Sequence, residues 1–455
     1  MKTSYFKRLL CWGVLIAMFS CTVLTGCGSK EVESGDSQGV KDKTTIKVQW
    51  IGDFKMEDST DKISGKTIKG LKVLEDEFEK QNKNINVEFV IMSWDDYTQK
   101  TQAMLMSNDC DVYQVPAIAN IAPQGLLEPL SPYIEKDNFD TSIYIDGQID
   151  GWKAVGSEDT ESKIYGLPFI GDTRFIYYNK KIFDDWKVPY LPKEVTPEQV
   201  FELAKKMTGK NPVTGKDNYG VFSKGGDAAD TVMNISESFG GTWGSGIKFD
   251  ELKFNFDSPT MVKALTYLKD IAKYAPEGTM AGQGGELMYT AEDNIAMNLR
   301  ASPVHANTVV GVGLDENYGA SYLFVNPTEG KGGMFAESPY CIGKNSKHKD
   351  EAWEYLKFSS SEFFQKYMWE NQREQFTPVI KAAMDWDSIK AEPTAQVMLE
   401  SMPKLWTPRY IYRAAQPRYI LSEAVESAMM GQQSPEGALK AAQKNAEEWV
   451  EQQKK

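Results

Sequence analysis

Histidine and cysteine are the scarce residues of this 455-residue chain, which has two of the first and five of the second. His305 and His348 stand alone, without a second ligand at helical spacing, so zinc hydrolysis and histidine-based acid–base work find no support. Cys11, Cys21 and Cys27 fall near the N-terminus, which leaves only Cys110 and Cys341 for the rest of the chain. Both sit in apolar, strand-like runs and read as buried free thiols rather than a disulfide. Excess positive charge is missing as well: 51 Lys and Arg against 64 Asp and Glu give a net charge of −13. No basic stripe is available for a phosphate backbone, and no nucleic-acid partner is expected. The acidic pairs Asp58/Asp61 and Asp109/Asp111 lack the full oxygen cage and the glycine of a calcium loop, and read as solvated or capping carboxylates. Neither a metal nor any other cofactor is expected.

Two motifs are present in letters only. Gly35-Asp36-Ser37-Gln38-Gly39 matches the G-x-S-x-G of serine hydrolases, but it lies in a polar stretch that cannot form the strained strand-to-helix turn this chemistry needs. Ser64-Gly65-Lys66-Thr67 resembles the tail of a P-loop, yet Thr60 stands where the first glycine belongs, and the phosphate cradle fails.

The N-terminus carries Lys2, Lys7 and Arg8 ahead of an apolar run from Leu9 to Leu24, too short and badly flanked for a membrane span. Leu24-Thr25-Gly26-Cys27 resembles the lipobox of bacterial lipoproteins. That resemblance implies cleavage of residues 1–26 and lipid on the Cys27 sulfur, hence a cell-membrane location, lipid-anchored on the extracytoplasmic face. Several acyl chains hold such an anchor stably, at about 0.8 kcal/mol per buried CH₂. Cleavage removes three cations and takes the net charge from −13 to −16. Residues 27–43 lack aromatics and periodicity and read as a flexible tether.

The remaining residues, roughly 410, exceed what one hydrophobic core usually holds, so two domains are expected. Thr45–Trp50 alternates as a strand, and a helix follows with Leu71, Leu74 and Phe78 on one face. A strand over Ile85–Ile91, a helix over Trp94–Met106 and a strand over Asp111–Val115 continue the alternation. Such βαβ units predict a mostly parallel sheet covered by helices on both faces. A second set has helices near Thr196–Met207, Ala228–Phe239 and Pro259–Tyr274, with strands around Tyr219–Phe222 and Asn294–Asn298. Strands at Ser321–Val325 and Met334–Ile342 precede an almost wholly helical C-terminus, whose last helix opens at Ser434-Pro435-Glu436.

A series of landmarks runs over nearly the whole mature chain: Phe78-Glu79-Lys80-Gln81, Trp94-Asp95-Asp96-Tyr97, Asp111-Val112, Tyr165-Gly166-Leu167-Pro168-Phe169, Tyr177-Tyr178-Asn179-Lys180 and Ala296-Met297. Gly332-Gly333, Ile342 to Ser346, Glu351-Ala352-Trp353 and Gly431 to Leu439 complete it. In their order and spacing these resemble the extracellular solute-binding protein family 1, the receptors of carbohydrate ABC importers. The stretch around Trp406-Thr407-Pro408-Arg409-Tyr410 does not match residue by residue.

The resemblance implies an α/β, periplasmic-binding-protein-like (type II) fold of two discontinuous lobes. The expected lobes are 44–169 with 319–360 and 170–318 with 361–455, with crossings near Leu167–Asp172, near Leu314–Tyr318 and between Phe358 and Gln365. It further implies a monomeric receptor, not an enzyme, that takes a small sugar ligand to ABC transporter permease subunits and meets the membrane through its lipid alone. Sugars stack their CH faces on aromatic rings and bond their hydroxyls to carboxylates, amides and guanidinium forks. Candidate contacts are Trp50 at the end of the first strand, Trp94 and Asp95 after the second, and Asp111. Asp172 and Thr173 at the hinge, Trp243 in a Gly-rich loop, Glu337 in an apolar strand, and Trp406 with Arg409 complete the set. Each has a plainer role open to it: Trp50 as core, Asp95 as helix cap, Asp111 as a carboxylate bonded to backbone amides, Trp243 as a loop plug. Asp172 reads equally as a hinge brace, and Trp406 with Arg409 as a helix-packing cluster. A secreted glycosidase, and a sensor or adhesin on the same fold, are the rival functions.

Overall fold

The computed structural model describes residues 43–61, 65–115, 118–171, 173–223, 228–246, 252–279, 283–288, 292–333, 338–372, 376–405 and 416–453. The expectations for Cys27, Asp172, Glu337, Trp406 and Arg409, for the signal segment and for the tether up to residue 42 lie outside these residues. Two main sheets organise the described chain. Their strands are β1 (Thr44–Ile51), β2 (Ile85–Met92), β3 (Val112–Gln114), β4 (Leu167–Ile170), β5 (Phe175–Asn179), β6 (Met297–Ala301), β7 (Tyr318–Tyr322) and β8 (Ser338–Ile342). The helices used below are α1 (Lys72–Gln81), α2 (Tyr97–Ser107), α3 (Ala228–Ser238), α4 (Pro259–Ile271), α5 (Pro303–Gly311), α6 (Lys349–Ser359), α7 (Glu362–Asn371), α8 (Gln416–Met429) and α9 (Pro435–Gln453).

The first sheet has the order β2-β1-β3-β8-β4. β1 is rich in β-branched and apolar residues because it is central: Ile46, Val48, Trp50 and Ile51 are all fully buried. It pairs in parallel with β2 along its whole length, from Thr44 opposite Ile85 to Ile51 opposite Met92. Towards β3 the only paired position is Val48 with Val112. Two amide side chains bridge the rest. Gln114 Oε1 accepts the Ile51 N–H at 2.8 Å and Gln49 Oε1 accepts the Gln114 N–H at 3.2 Å, so buried backbone donors stay satisfied where the ladder stops.

The second sheet has the order β6-β5-β7, antiparallel throughout. Bridges Tyr219 to Ile295 and Phe222 to Asn298 add a short parallel edge beyond β6. The expected mostly parallel sheet is therefore corrected. In the first sheet parallel pairing is confined to the β1 neighbours, while β8 runs antiparallel to both β3 and β4. A parallel strand needs a crossover from the far end of the sheet, whereas β8 enters directly from the other lobe.

The result is two α/β lobes. β7 pairs with β5, Tyr322 opposite Phe175, so the strand lies in the second sheet, not in the first lobe as a boundary at 318/319 required. The chain returns between Tyr322 and Ser338 rather than near Leu314–Tyr318. The third crossing also falls later than expected. α7 belongs to the first lobe, where Phe364 packs on Trp50 and Phe169 and Gln365 Nε2 donates to Phe169 O at 3.2 Å. Trp386 still bonds Glu362 at 2.8 Å, whereas Glu400 bonds Tyr322 of the second sheet at 3.0 Å.

Trp50 is the centre of the first core. Its ring meets Phe54, Phe89, Phe169, Tyr340 and Phe364 at centroid distances of 5.0 to 6.1 Å. With no exposed surface it has no face to offer a solute, and its candidacy as a binding residue is withdrawn. The strand end that suggested a cleft position is covered on both sides. Cys110 and Cys341 are free and buried; burial pushes the Cys110 thiol up to about 12 and Cys341 well above its ordinary value. Both are therefore inert thiols. Trp50→Ala is expected to lower the unfolding free energy by about 3–5 kcal/mol, read as a drop in urea midpoint at unchanged slope.

Candidate functional site

Strand register fixes where a crevice forms. In the first sheet β1, β2 and β3 end at Ile51, Met92 and Gln114. β4 also ends at that edge, because Ile170 lies opposite Ser338, the first residue of β8. The chain then enters the second sheet at Phe175, opposite Ala301 at the end of β6 and Tyr322 at the end of β7. Ile170 and Ser338 thus stand at the carboxyl ends of the first sheet's parallel strands, and Phe175 and Tyr322 stand at the carboxyl end of β6. Both lobes aim their strand-end loops at the hinge, the place where open α/β sheets bind ligands.

On the first lobe this edge carries Trp94 and Tyr97. They follow β2, form a T-shaped pair at 5.2 Å, and Trp94 remains 44% exposed. Asp96 sits between them at φ 52°, a left-handed conformation that turns the chain sharply into α2. Asp95 is exposed and does not cap α2; its Oδ2 accepts from Ser93 Oγ at 3.3 Å and its carbonyl accepts from Lys100 Nζ. Asp111 is not at this edge. Its oxygens accept the Lys47 N–H at 2.9 Å and the Ser346 hydroxyl at 2.7 Å, near the start of β3, and its proposed ligand contact is corrected to a carboxylate that ties two strands and a loop together.

On the second lobe α3 is buried nearly all round, and its polar residues recur at i, i+4 and i+7. Asp230 Oδ2 accepts from Arg300 at 2.9 Å and from Arg418 at 3.2 Å. Asn234 donates to Phe324 O at 2.6 Å. Glu237 accepts the Trp243 indole N–H at 3.1 Å and the Gly333 N–H at 2.8 Å. One helix face therefore holds β6, α8, the chain leaving β7 and the Gly-rich loop. Trp243 is 4% exposed and plugs that loop, which removes its ring from a solute. Thr173 is fully buried at the hinge, with no partner for its hydroxyl among the described groups.

Sequence reasoning missed Asp230, Arg300, Arg418 and Tyr97. Asp230 and its two arginines are 70 and 188 residues apart in sequence, and local pattern says nothing about such pairs. Arginine scarcity was the available signal. A groove of about 830 Å³ lies elsewhere, between Leu252–Asn255 and the end of α9; it touches neither hinge nor strand ends and none of the candidate residues.

Two α/β lobes joined at the carboxyl edges of their sheets define a two-lobed binding protein of the periplasmic type II class. The profile of bacterial extracellular solute-binding proteins matches residues 64–366, and the chain belongs to that family. A Brucella abortus (strain 2308) chain described as a binding protein is 25% identical over 389 residues, covering 81% of this chain and 87% of that one. Among solved structures, the sugar-binding protein MalE of Xanthomonas citri shares 19% identity at a TM-score of 0.70, over 90% of this chain and 98% of that one. The substrate-binding protein Lmo0181 of Listeria monocytogenes, in complex with cycloalternan, shares 22% at 0.68, over 89% and 98%. A solute-binding protein of Agrobacterium vitis with bound D-mannitol shares 21% at 0.64, over 90% and 99%.

Burial separates the tryptophans in a measurable way. Trp94→Ala is expected to change stability by no more than about 0.5 kcal/mol, whereas Trp243→Ala, which empties a buried site and strips a donor from Glu237, costs about 3–5 kcal/mol. Chemical denaturation of the two variants checks the contrast.

Proposed function

We propose that this chain captures a sugar or oligosaccharide between its lobes and hands it, chemically unaltered, to the permease of an ABC transporter. The observation that carries this reading is the convergence of both strand-end edges on the hinge, with the exposed Trp94 and half-buried Tyr97 on one side and guanidinium groups on the other. Ring faces and charged forks are the two groups a polyhydroxylated solute asks for. Family membership, and a fold shared with proteins solved with cycloalternan and D-mannitol, support it further. We take the lobes as 44–171 with 338–390, and 173–333 with 393–453. A solute touching both favours the closed arrangement by its differential contacts, and the crossing segments absorb the rotation. The receptor works as a monomer, held at the outer membrane face by lipid on Cys27. Among the described residues no helix is long and apolar enough to cross a membrane.

A thermal-shift screen over neutral and acidic sugars tests the first part. A cognate sugar at 100 times its dissociation constant adds about 2.7 kcal/mol of stability, and X-ray scattering should show the particle contract as it binds. Turnover of a labelled oligosaccharide, or stabilisation by amines and peptides but no sugar, defeats the reading. The anchor is checked separately: Cys27→Ala is expected to move the protein from the membrane fraction to the soluble one in the expressing bacterium, and retention of the variant in the membrane would refute the lipid.

A further inference from the structure

Arginine is rare here, seven of the 51 cationic residues, and its distribution is uneven. Beyond Arg8 the arginines are Arg174, Arg300, Arg373, Arg409, Arg413 and Arg418. Arg174 lies in the first crossing, and Arg300 is the last residue but one of β6, at its hinge end. Arg373 comes two residues after the end of α7 in sequence, and the other three precede or open α8. Lysine supplies the cations everywhere else. A guanidinium differs from an ammonium in its planar fork, which matches carboxylate and phosphate oxygens in pairs.

Arg300 and Arg418 are brought together by one carboxylate. Asp230 Oδ2 accepts from Arg300 Nη2 at 2.9 Å and Arg418 Nη2 at 3.2 Å, and its Oδ1 faces Arg418 Nε at 3.4 Å. The side chains of Arg300 and Asp230 are 9% and 11% exposed, that of Arg418 26%, so the cluster is shielded yet open on the Arg418 side. Its placement breaks a local rule. Arg418 stands in the first turn of α8, and Arg300 two residues before the Ser302 that caps α5, where the helix dipoles disfavour cations and attract anions. α3 begins beside them at Ala228. Residues that violate a local preference in this way concentrate at functional sites. Asn298 adds a separate observation: its Oδ1 accepts the Arg300 N–H at 3.0 Å, while its Nδ2, on a residue 2% exposed, has no partner. Guanidiniums, helix starts and an idle amide N–H all favour the same guest, an acceptor with negative charge.

We propose that the solute is an acidic carbohydrate, whose carboxylate or phosphate lies against Arg300 and Arg418 while Asp230 holds the two forks in place. This rests on the receptor reading above and narrows its substrate class. The test is calorimetric titration of the purified protein with D-galacturonate against D-galactose and with glucose 6-phosphate against glucose, alongside maltose and D-mannitol. The expected result is binding of one acidic sugar with no comparable binding of its neutral counterpart, weakening as NaCl is raised. The galacturonate and glucose 6-phosphate arms tell carboxylate from phosphate. Arg418→Gln, the more exposed position, should weaken that binding about 10- to 100-fold, the usual worth of a charge-assisted hydrogen bond. Arg300→Lys keeps the charge, loses the fork and should fall between. Melting of the unliganded variants confirms that they fold. A neutral sugar bound as tightly as its acidic counterpart, or wild-type affinity in Arg418→Gln, overturns the proposal and leaves the receptor standing. No binding of any sugar, charged or neutral, sinks both.

Discussion

The packing of Trp50 against Phe169, Tyr340 and Phe364 is the contact on which the first lobe depends. Those rings come from β1, β4, β8 and α7; more than a hundred residues lie between β1 and β4, and an excursion through the other lobe lies between β4 and β8. Bringing them together costs loop-closure entropy, which grows only logarithmically with loop length, while each buried ring contributes a large apolar area and an edge-to-face term besides. Phe169 and Tyr340 stack at 3.8 Å, so the outgoing and returning strands are clamped to one another immediately beside the hinge. That clamp has a mechanical consequence. Rotation between lobes cannot be absorbed inside β4 or β8 and is pushed into the few residues between the sheets.

The second lobe braces its own segments through polar means. α3 spends three of its inward positions on Asp230, Asn234 and Glu237, each holding a segment that borders the crevice. Buried polar groups of this kind stabilise little compared with apolar packing, but they fix geometry, because a donor left without its acceptor costs about 1–3 kcal/mol. Gly333 illustrates the coupling. It adopts φ 73°, in the left-handed region, and donates its N–H to Glu237, so the chain that runs back to the first lobe is held by its backbone up to that residue.

Much of the fold was legible because period and burial agree. β1, β2, α1 and α2 fall within a few residues of where alternation and one-face spacing place them, and α3 and α4 match the expected Ala228–Phe239 and Pro259–Tyr274. β7 was misplaced by three residues, since Tyr318-Gly319-Ala320 carries no strong apolar signal and gains its pairing from β5. The strand directions were misjudged for a topological reason: nothing local records that β8 arrives from another lobe. For the candidate site the limits were different. Trp50 and Trp243 looked like binding aromatics because their neighbours in sequence are a strand end and glycines, whereas the groups that bury them lie far away along the chain. Asp230, Arg300 and Arg418 were invisible for the same reason, being ordinary charges until β6 and α8 bring them onto one helix.

A chain with a net charge of −13 is an unexpected host for an anion, and the objection has a physical answer. At physiological ionic strength exposed charges are screened within about 8 Å, so the carboxylates scattered over the outer surface contribute little at the crevice. What a guest meets there is set by the charges within that radius and by the low polarizability of the surrounding protein, which strengthens near interactions relative to far ones. In the proposed site Arg300 and Arg418 are shielded and pinned by Asp230, so their interactions with a guest would be of the near, strengthened kind. Global acidity then acts on solubility and on the encounter rate rather than on selectivity, and the proposed preference for an acidic sugar rests on three side chains rather than on the sum over the molecule.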